Sequence, residues 1–263
     1  MDIIDRLHDA CRLGKSDKIP RLFGQLKKTS RFGLDNYNSL LIACKHGHPA
    51  IVQYILNKSP DIPNGRLNDA FIAACGGGRT RIAQWLLLVK PGIDIRASND
   101  DSFWAACAGN HLATVQWLLK KNPGMGAHLD ENRTFQWMCL LGHVRMARWM
   151  LSKNAQIITH LMQRGPDFTF ILACQKNKID IVKWLTAIWL NPDTVNNWLS
   201  GPNAPDIRAA VHPNLASLVE SHCDRGFLQI CNSSDKCDCR QVARWMITRK
   251  PSLLSEPVNG VFP

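Results

Sequence analysis

Apolar residues recur along this chain at the spacing of short helices that come in pairs. In residues 103–119, FWAACAGNHLATVQWLL, the side chains of Phe103, Ala106 and Cys107 share one helical face, at i, i+3 and i+4. The pair Gly109-Asn110 then breaks the pattern, because both residues tolerate the left-handed conformation that ends helices. A second helical face follows, formed by Leu112, Val115, Leu118 and Leu119. The pattern therefore predicts a helix, a tight turn and a second helix.

This frame returns every 31 to 35 residues along most of the chain. The cysteine of the frame falls at Cys11, Cys44, Cys75, Cys107, Cys139 and Cys174. An aromatic residue follows ten positions later at Tyr54, Trp85, Trp117, Trp149 and Trp184. The helix break is expected at Gly47, Gly78, Gly142 and Asn177, and the first helices are expected to be capped by Asn38, Asp69 and Asp101. Such a period is typical of a stacked repeat array, because one unit cannot bury its apolar face alone.

The periodic cysteines are predicted to be packing residues. Equivalent helices of a stacked array lie roughly 8–10 Å apart, which exceeds the ~7 Å Cα separation that a disulfide can bridge. Cysteine is small and is among the most frequently buried residue types. We expect free, buried thiols in a reducing compartment. The aromatic column is likewise expected to be a core or half-buried ladder, whereas Trp104 and Trp137 lie off this column.

The rhythm stops after Trp184, and this divides the chain into four predicted segments. Residues 1–34 are predicted to form N-terminal capping helices and residues 35–186 to form the repeats. Residues 187–230 are predicted to be a helical insertion or a degenerate repeat, and residues 231–263 a C-terminal capping unit and tail. End units of such arrays need a polar outer face.

Charge narrows the class of partner. The chain carries 32 Lys and Arg against 21 Asp and Glu, a net charge of +11. Residues 132–166 hold five bases and no acid. Such fields favour acidic partners, and we expect an acidic protein surface because no clustered aromatic and basic motif indicates nucleic acid. No apolar run approaches the roughly 18 residues of a membrane helix. We expect the protein to be a monomer and to act in the cytoplasm.

Two chemical alternatives concern the C-terminal part of the chain. The cysteines Cys223, Cys231, Cys237 and Cys239 crowd together there and could hold zinc, although the spacing lacks paired C-x-x-C motifs. A thiol enzyme would use Cys223 or Cys237 with His212 or His222. Neither a phosphate-loop, G-x-S-x-G nor H-E-x-x-H motif occurs. We expect no cofactor and no catalysis.

The frame resembles ankyrin repeats, whose pattern runs T-P-L-H-x-A-A-x-x-G-H and then I-V-x-x-L-L. GIDIRASNDDSFWAACAGNHLATVQWLL (92–119) and KHGHPAIVQYIL (45–56) carry the resemblance. The Thr-Pro-Leu-His element becomes Asp-Ser-Phe-Trp, Asp-Ala-Phe-Ile or Arg-Thr-Phe-Gln. The Phe-x-x-Ala-Cys…Trp-Leu-Leu variant is similar to ankyrin arrays of intracellular bacteria and giant viruses. The resemblance implies an all-α solenoid with helical N- and C-terminal caps, and a protein–protein interaction module.

The same resemblance implies where a partner would bind. Such arrays bind targets with their hairpin tips and with the starts of their first helices, on the concave surface. In this sequence those positions are Arg66, Arg96, Asn99, Asp100, Trp104, Glu131, Arg133 and Gln136. The resemblance further implies an effector or viral scaffold that acts on host proteins, in the host cytoplasm if it is translocated.

Overall fold

The computed structural model describes residues 2–26, 32–130, 132–154, 157 and 167–190. Within these residues the chain forms helices, turns and loops, with no strand, which confirms the predicted all-α fold. The chain divides into two compact units, Met1–Met125 and Gly126–Pro263. The predicted segments 187–230 and 231–263 lie outside the described residues, so their organisation stays a prediction.

The first unit contains four pairs of helices. Their bounds are α1 Ile3–Leu13, α2 Ile19–Leu26, α3 Phe32–His46, α4 Pro49–Lys58, α5 Asn64–Gly76, α6 Thr80–Val89, α7 Ala97–Ala108 and α8 Leu112–Lys121. The first helices of successive pairs pack on each other, so that α3 lies between α1 and α5, and α5 lies between α3 and α7. Each second helix packs on its own first helix. This is the stacking that the period predicted.

The second unit repeats this arrangement. A 3₁₀ turn, Pro123–Gly126, leads into it. Its described helices are α9 Ala127–Asp130, α10 Asn132–Leu141, α11 Val144–Lys153, α12 Asp167–Gln175 and α13 Ile179–Leu190. The helices α10 and α11 pair, α12 and α13 pair, and α10 packs on α12.

The periodic cysteines are buried in each of the two units, as predicted. All six are buried thiols that form no disulfide: Cys11, Cys44, Cys75 and Cys107 in the first unit, and Cys139 and Cys174 in the second. Burial raises the pKa of the Cys75 and Cys107 thiols to about 12, so neither is ionised near neutral pH. Four positions before each cysteine of the central pairs stands another fully buried residue, such as Phe71 or Phe103. Cysteine here fills space between stacked helices.

The aromatic column links neighbouring pairs. Its first four members, Tyr54, Trp85, Trp117 and Trp149, are half-buried, and Trp184 is buried. The Phe71 ring lies 6.2 Å from the Trp117 ring of the next pair, and Phe135 lies 6.2 Å from Trp184 in the same way. This confirms the predicted ladder.

The tight turns show the predicted left-handed backbone. Positive φ angles occur at Gly14, Gly47, Gly78, Asn110, Gly142 and Asn177. The residues that follow two of these turns reach back to the preceding pair: Arg79 Nε donates to the Lys45 carbonyl at 3.2 Å, and His48 Nε2 lies 3.0 Å from the Arg12 carbonyl. Gly77 lets this approach happen, because a Cβ at that position would lie 2.0 Å from the Lys45 carbonyl oxygen. The turns therefore also join neighbouring pairs.

Two of the three predicted helix caps are wrong. The helix α3 begins at Phe32 and α5 at Asn64, so Asn38 and Asp69 lie inside these helices, several residues after their starts. Asp101 follows the left-handed residues 98–100 and stands where the right-handed part of α7 begins. For Asp69 the physical reason is that α5 begins after Pro63, whose φ of −58° suits a helix entry. No side chain caps the start of α5.

Candidate partner-binding surface

The loop between α6 and α7 is tied to its surroundings at several points. The Asp94 backbone N–H donates to Asn68 Oδ1 of α5 at 2.9 Å. The Asp94 carboxylate in turn accepts from the Arg96 N–H at 2.9 Å. The Ser102 hydroxyl donates to the Ile95 carbonyl at 3.0 Å, and Ser102 is fully buried. The loop is thus held both to the preceding pair and to its own helix.

Three consecutive residues in the first turn of α7, directly after this loop, have left-handed backbone. The φ angles are 54° at Ser98, 59° at Asn99 and 64° at Asp100. None is glycine, and each such residue costs roughly 1–2 kcal/mol relative to right-handed helix. Asn and Asp tolerate this region better than most residues. Such a turn persists only where other contacts hold it, and it leaves the Ser98 and Asn99 side chains exposed.

Those contacts are supplied by Arg96 and Asp100. Arg96 Nε donates to Asp100 Oδ1 at 2.9 Å, and Arg96 Nη2 donates to Asp100 Oδ2 at 2.9 Å. The Asp100 side chain is only 3% exposed, whereas 53% of the Arg96 side chain faces solvent. The hydrogen bond to Asp100, more than its charge, raises the pKa of Arg96. Asp100, expected to contact a partner, is therefore buried, and it positions Arg96.

Trp104 lies one turn further along α7. It is half-buried, and its ring stands edge-on to the fully buried Phe103 ring, with centroids 5.6 Å apart at 85°. A ring held in this way offers an apolar face at a low entropy cost. The sequence-predicted residues Arg96, Asn99 and Trp104 thus belong to one loop and the helix that follows it.

Arg66 is placed on the preceding pair. It contacts Asp69 at 3.4 Å, and both side chains are nearly half exposed. Its guanidinium carbon lies 5.7 Å from the centre of the Tyr37 ring of α3. Exposed pairs of this kind contribute little to stability, so Arg66 stays accessible to a partner.

The second unit carries a separate group at the start of α10. Arg133 is exposed and Gln136 is half-buried, while Glu131 lies outside the described residues. Trp137 is not among the predicted binding residues, yet it is 40% exposed. The sequence signal was available, because the equivalent positions of other units hold the smaller side chains Ile42, Ala73, Ala105 and Leu172. The exposed Trp137 thus offers an aromatic surface that the other units lack.

The residues of the zinc site and of the thiol enzyme lie outside the part of the chain that the structure describes. Cys223, Cys231, Cys237 and Cys239 lie outside the described residues, as do His212 and His222. Among the residues that are described, no group of three or more His, Cys, Asp and Glu side chains is arranged to hold a metal ion. The zinc site and the thiol enzyme stay predictions.

Comparison with known families agrees with the geometry of the stacked pairs. Residues 7–99 match the family model of ankyrin repeats, in three copies. Residues 7–99 contain ankyrin repeats. The match begins within the segment predicted as the N-terminal cap and ends at Asn99, within the first turn of α7. No curated protein matches the chain.

Ankyrin repeats are in general protein–protein interaction modules, and this gives the chain its broad class. Beyond residue 99 the ankyrin pattern of paired helices, left-handed turns and buried cysteines continues through α7–α8, α10–α11 and α12–α13. None of the helices in the described parts of the chain combines the length and apolar character needed to cross a membrane.

Proposed function

We propose that this ankyrin-repeat chain binds an acidic surface of a protein partner through the α6–α7 loop and the exposed start of α7. The observation that carries the proposal is the clamp of Arg96 by the buried Asp100. A guanidinium that is already oriented loses little rotational freedom when it meets a carboxylate, so less of the binding energy is spent on ordering. Trp104 supplies an apolar contact beside it.

The start of α10 supplies a second contact group in the proposal, made of Arg133, Gln136 and Trp137. Trp and Arg are the residue types that most often dominate binding energies in interfaces. Arg133 is the first base in the stretch 132–166, which holds five bases and no acid. The net charge of +11 favours the same class of partner.

The free thiols support a reducing compartment for this function, and we assign the chain to the cytoplasm as a monomer. The narrower proposal is an effector that acts on host proteins in the host cytoplasm. It rests on the resemblance of the Phe-x-x-Ala-Cys…Trp-Leu-Leu frame to repeats of intracellular bacteria and giant viruses.

The test is affinity purification from a host lysate followed by binding measurements with the recovered partner. Three purified proteins are compared: the natural chain, Trp104→Ala with Arg133→Glu, and Lys18→Glu. The last is a control for charge, because Lys18 is exposed in the α1–α2 loop and its substitution changes the net charge as much as Arg133→Glu. The double variant should weaken binding by about tenfold or more. Equal affinity of all three folded proteins would show that this surface is not used.

A further inference from the structure

A second surface whose residues depart from the repeat pattern lies on the second helices of the first unit. At the end of α6 the side chain of Leu88 is 81% exposed and that of Val89 is 41% exposed. Large apolar side chains exposed side by side do not stabilise a monomer. Adjacent exposed apolar residues of this kind mark interaction surfaces when they form a patch with their neighbours.

The other repeats show that the fold does not require apolar residues here. Counted from the aromatic column, the positions of Leu88 and Val89 hold Asn57-Lys58, Lys120-Lys121 and Ser152-Lys153 in other units, all of them exposed. Apolar residues recur there in the unit of Trp184, as Ala187-Ile188, after which the period ends. Within the first unit, the patch on α6 is thus the exception among polar pairs at these positions.

Next to this patch lies a groove between α6 and α8. Its volume is about 400 Å³, and it is lined by Gln84, Leu87, Leu88, Trp117 and Lys121. The half-buried Trp117 ring is held in place by its contact with Phe71, at 6.2 Å. The groove therefore has a rigid aromatic wall, an apolar wall and a cation at its rim.

The charged side chain that lines the groove is Lys121. The second helices α4, α6 and α8 contain no Asp or Glu, and their charged residues are Lys58, Arg81, Lys120 and Lys121. An apolar groove between helices that carry cations and no acid favours an apolar side chain that is flanked by carboxylates. A neutral or basic segment would gain the apolar contact but would be repelled by the rim.

We infer that this α6–α8 groove docks an acidic segment of a partner protein, with an apolar side chain seated between Leu88 and Trp117 and a carboxylate at Lys121. The groove is a site separate from the loop of Arg96, because its residues belong to the ends of the second helices. It gives the chain a second contact that binds independently of the first.

The test uses peptides of random sequence displayed on phage and selected against the full chain. The key variant is Leu88→Asn with Val89→Lys, which copies the pair Asn57-Lys58 from the neighbouring unit and is therefore compatible with the fold. Leu13→Asn is the matched control, because Leu13 is also an exposed leucine, at 56%, at the end of α1. Circular dichroism and urea unfolding verify that each variant is folded.

The expected result is a set of peptides with an apolar residue next to Asp or Glu. These peptides should bind the key variant about tenfold more weakly, bind Leu13→Asn as they bind the natural chain, and weaken similarly with Lys121→Glu. If the key variant does not fold, Leu88→Lys and Lys121→Glu give the same comparison separately.

Three results would overturn the inference. The first is a set of peptides without acids, or with equal affinity for the key variant. The second is a dimer in sedimentation equilibrium that the key variant abolishes, which would make a second copy of the chain the occupant. The third is binding to phosphatidylserine vesicles that depends on Leu88 while acidic peptides are not bound, which would make the surface a lipid contact.

Discussion

The guanidinium of Arg96 holds the carboxylate of Asp100 with two parallel hydrogen bonds of 2.9 Å each, four residues apart across a left-handed turn. The carboxylate is buried and the guanidinium is largely exposed. The same pair therefore stabilises an unfavourable backbone and presents a fixed cation to solvent. The loop can be tested through its stability separately from its binding.

We predict that Arg96→Ala lowers the melting temperature, because it removes two charge-assisted hydrogen bonds from the buried Asp100 carboxylate. Arg66→Ala is the matched control, since its pair with Asp69 is exposed on both sides and such pairs contribute almost nothing. Thermal unfolding followed by circular dichroism measures both. Equal melting temperatures for the two variants would show that the clamp does not support the turn.

The buried Phe71 gives a prediction with a larger change in the free energy of unfolding. Phe71→Ala should lower the free energy of unfolding by about 3–5 kcal/mol, because the fully buried ring leaves a cavity between α5 and its neighbours. Phe71→Leu keeps most of the volume and should lower it by less than about 1.5 kcal/mol. Urea unfolding gives both values, and the fluorescence of the nearby Trp117 reports the lost contact. Similar losses in the two variants would argue against tight packing at this position.

The periodic positions were predictable because each prediction was repeated in unit after unit. A cysteine that recurs in step with a Phe and a Trp has one packing environment, so its burial follows from the stacking itself. The same holds for the turns, where Gly or Asn stands at every position of positive φ between the helices of a pair. Local signals were weaker: Asp69 resembled a cap but α5 begins five residues earlier.

The candidate site was predictable only as a region. Nothing in Ser98-Asn99-Asp100 requires three left-handed residues, because Asn and Asp are also common in ordinary turns. The turn is held by two local contacts, Arg96–Asp100 and Ser102–Ile95, and by the contact of Asp94 with Asn68 of the preceding pair. The partners in these contacts follow from the folded backbone and not from the residue types alone. Whether Asp100 meets a partner or lies inside depends on those contacts, and the resemblance alone placed it outside.

The two classes of glycine in this chain should respond oppositely to alanine. Gly77→Ala should destabilise the protein, because its Cβ would lie 2.0 Å from the Lys45 carbonyl oxygen and would push two pairs apart. Gly24→Ala should stabilise it by about 0.5–1 kcal/mol, since Gly24 lies inside α2 with nothing within 4 Å of the added carbon. Urea midpoints at constant m-value measure both effects. Stabilisation by Gly77→Ala would contradict the close contact between the pairs.

The buried thiols predict a dependence of stability on pH. Burial raises the pKa of Cys75 to about 12, whereas an unfolded thiol ionises near pH 8.5. Between these values the folded state keeps a proton that the unfolded state loses, so stability is complete below about pH 8.5 and falls as the pH rises. The slope is about 1.4 kcal/mol per pH unit for each such thiol at its steepest. Other groups titrate in this range, so the comparison needs Cys75→Ala, which removes one thiol and should flatten the profile between pH 9 and 10.5.

The same burial predicts how each cysteine reacts with an alkylating reagent. The nucleophile that attacks iodoacetamide is the thiolate, which the buried thiols do not form at pH 8. The six periodic cysteines should therefore be modified only as fast as the protein unfolds, and all at similar rates within one unit. Peptide mapping by mass spectrometry after timed alkylation measures each site separately. Rapid alkylation of Cys107 in the folded protein, with Cys75 still protected, would show that the two pairs open independently and that the first unit is not packed as one core.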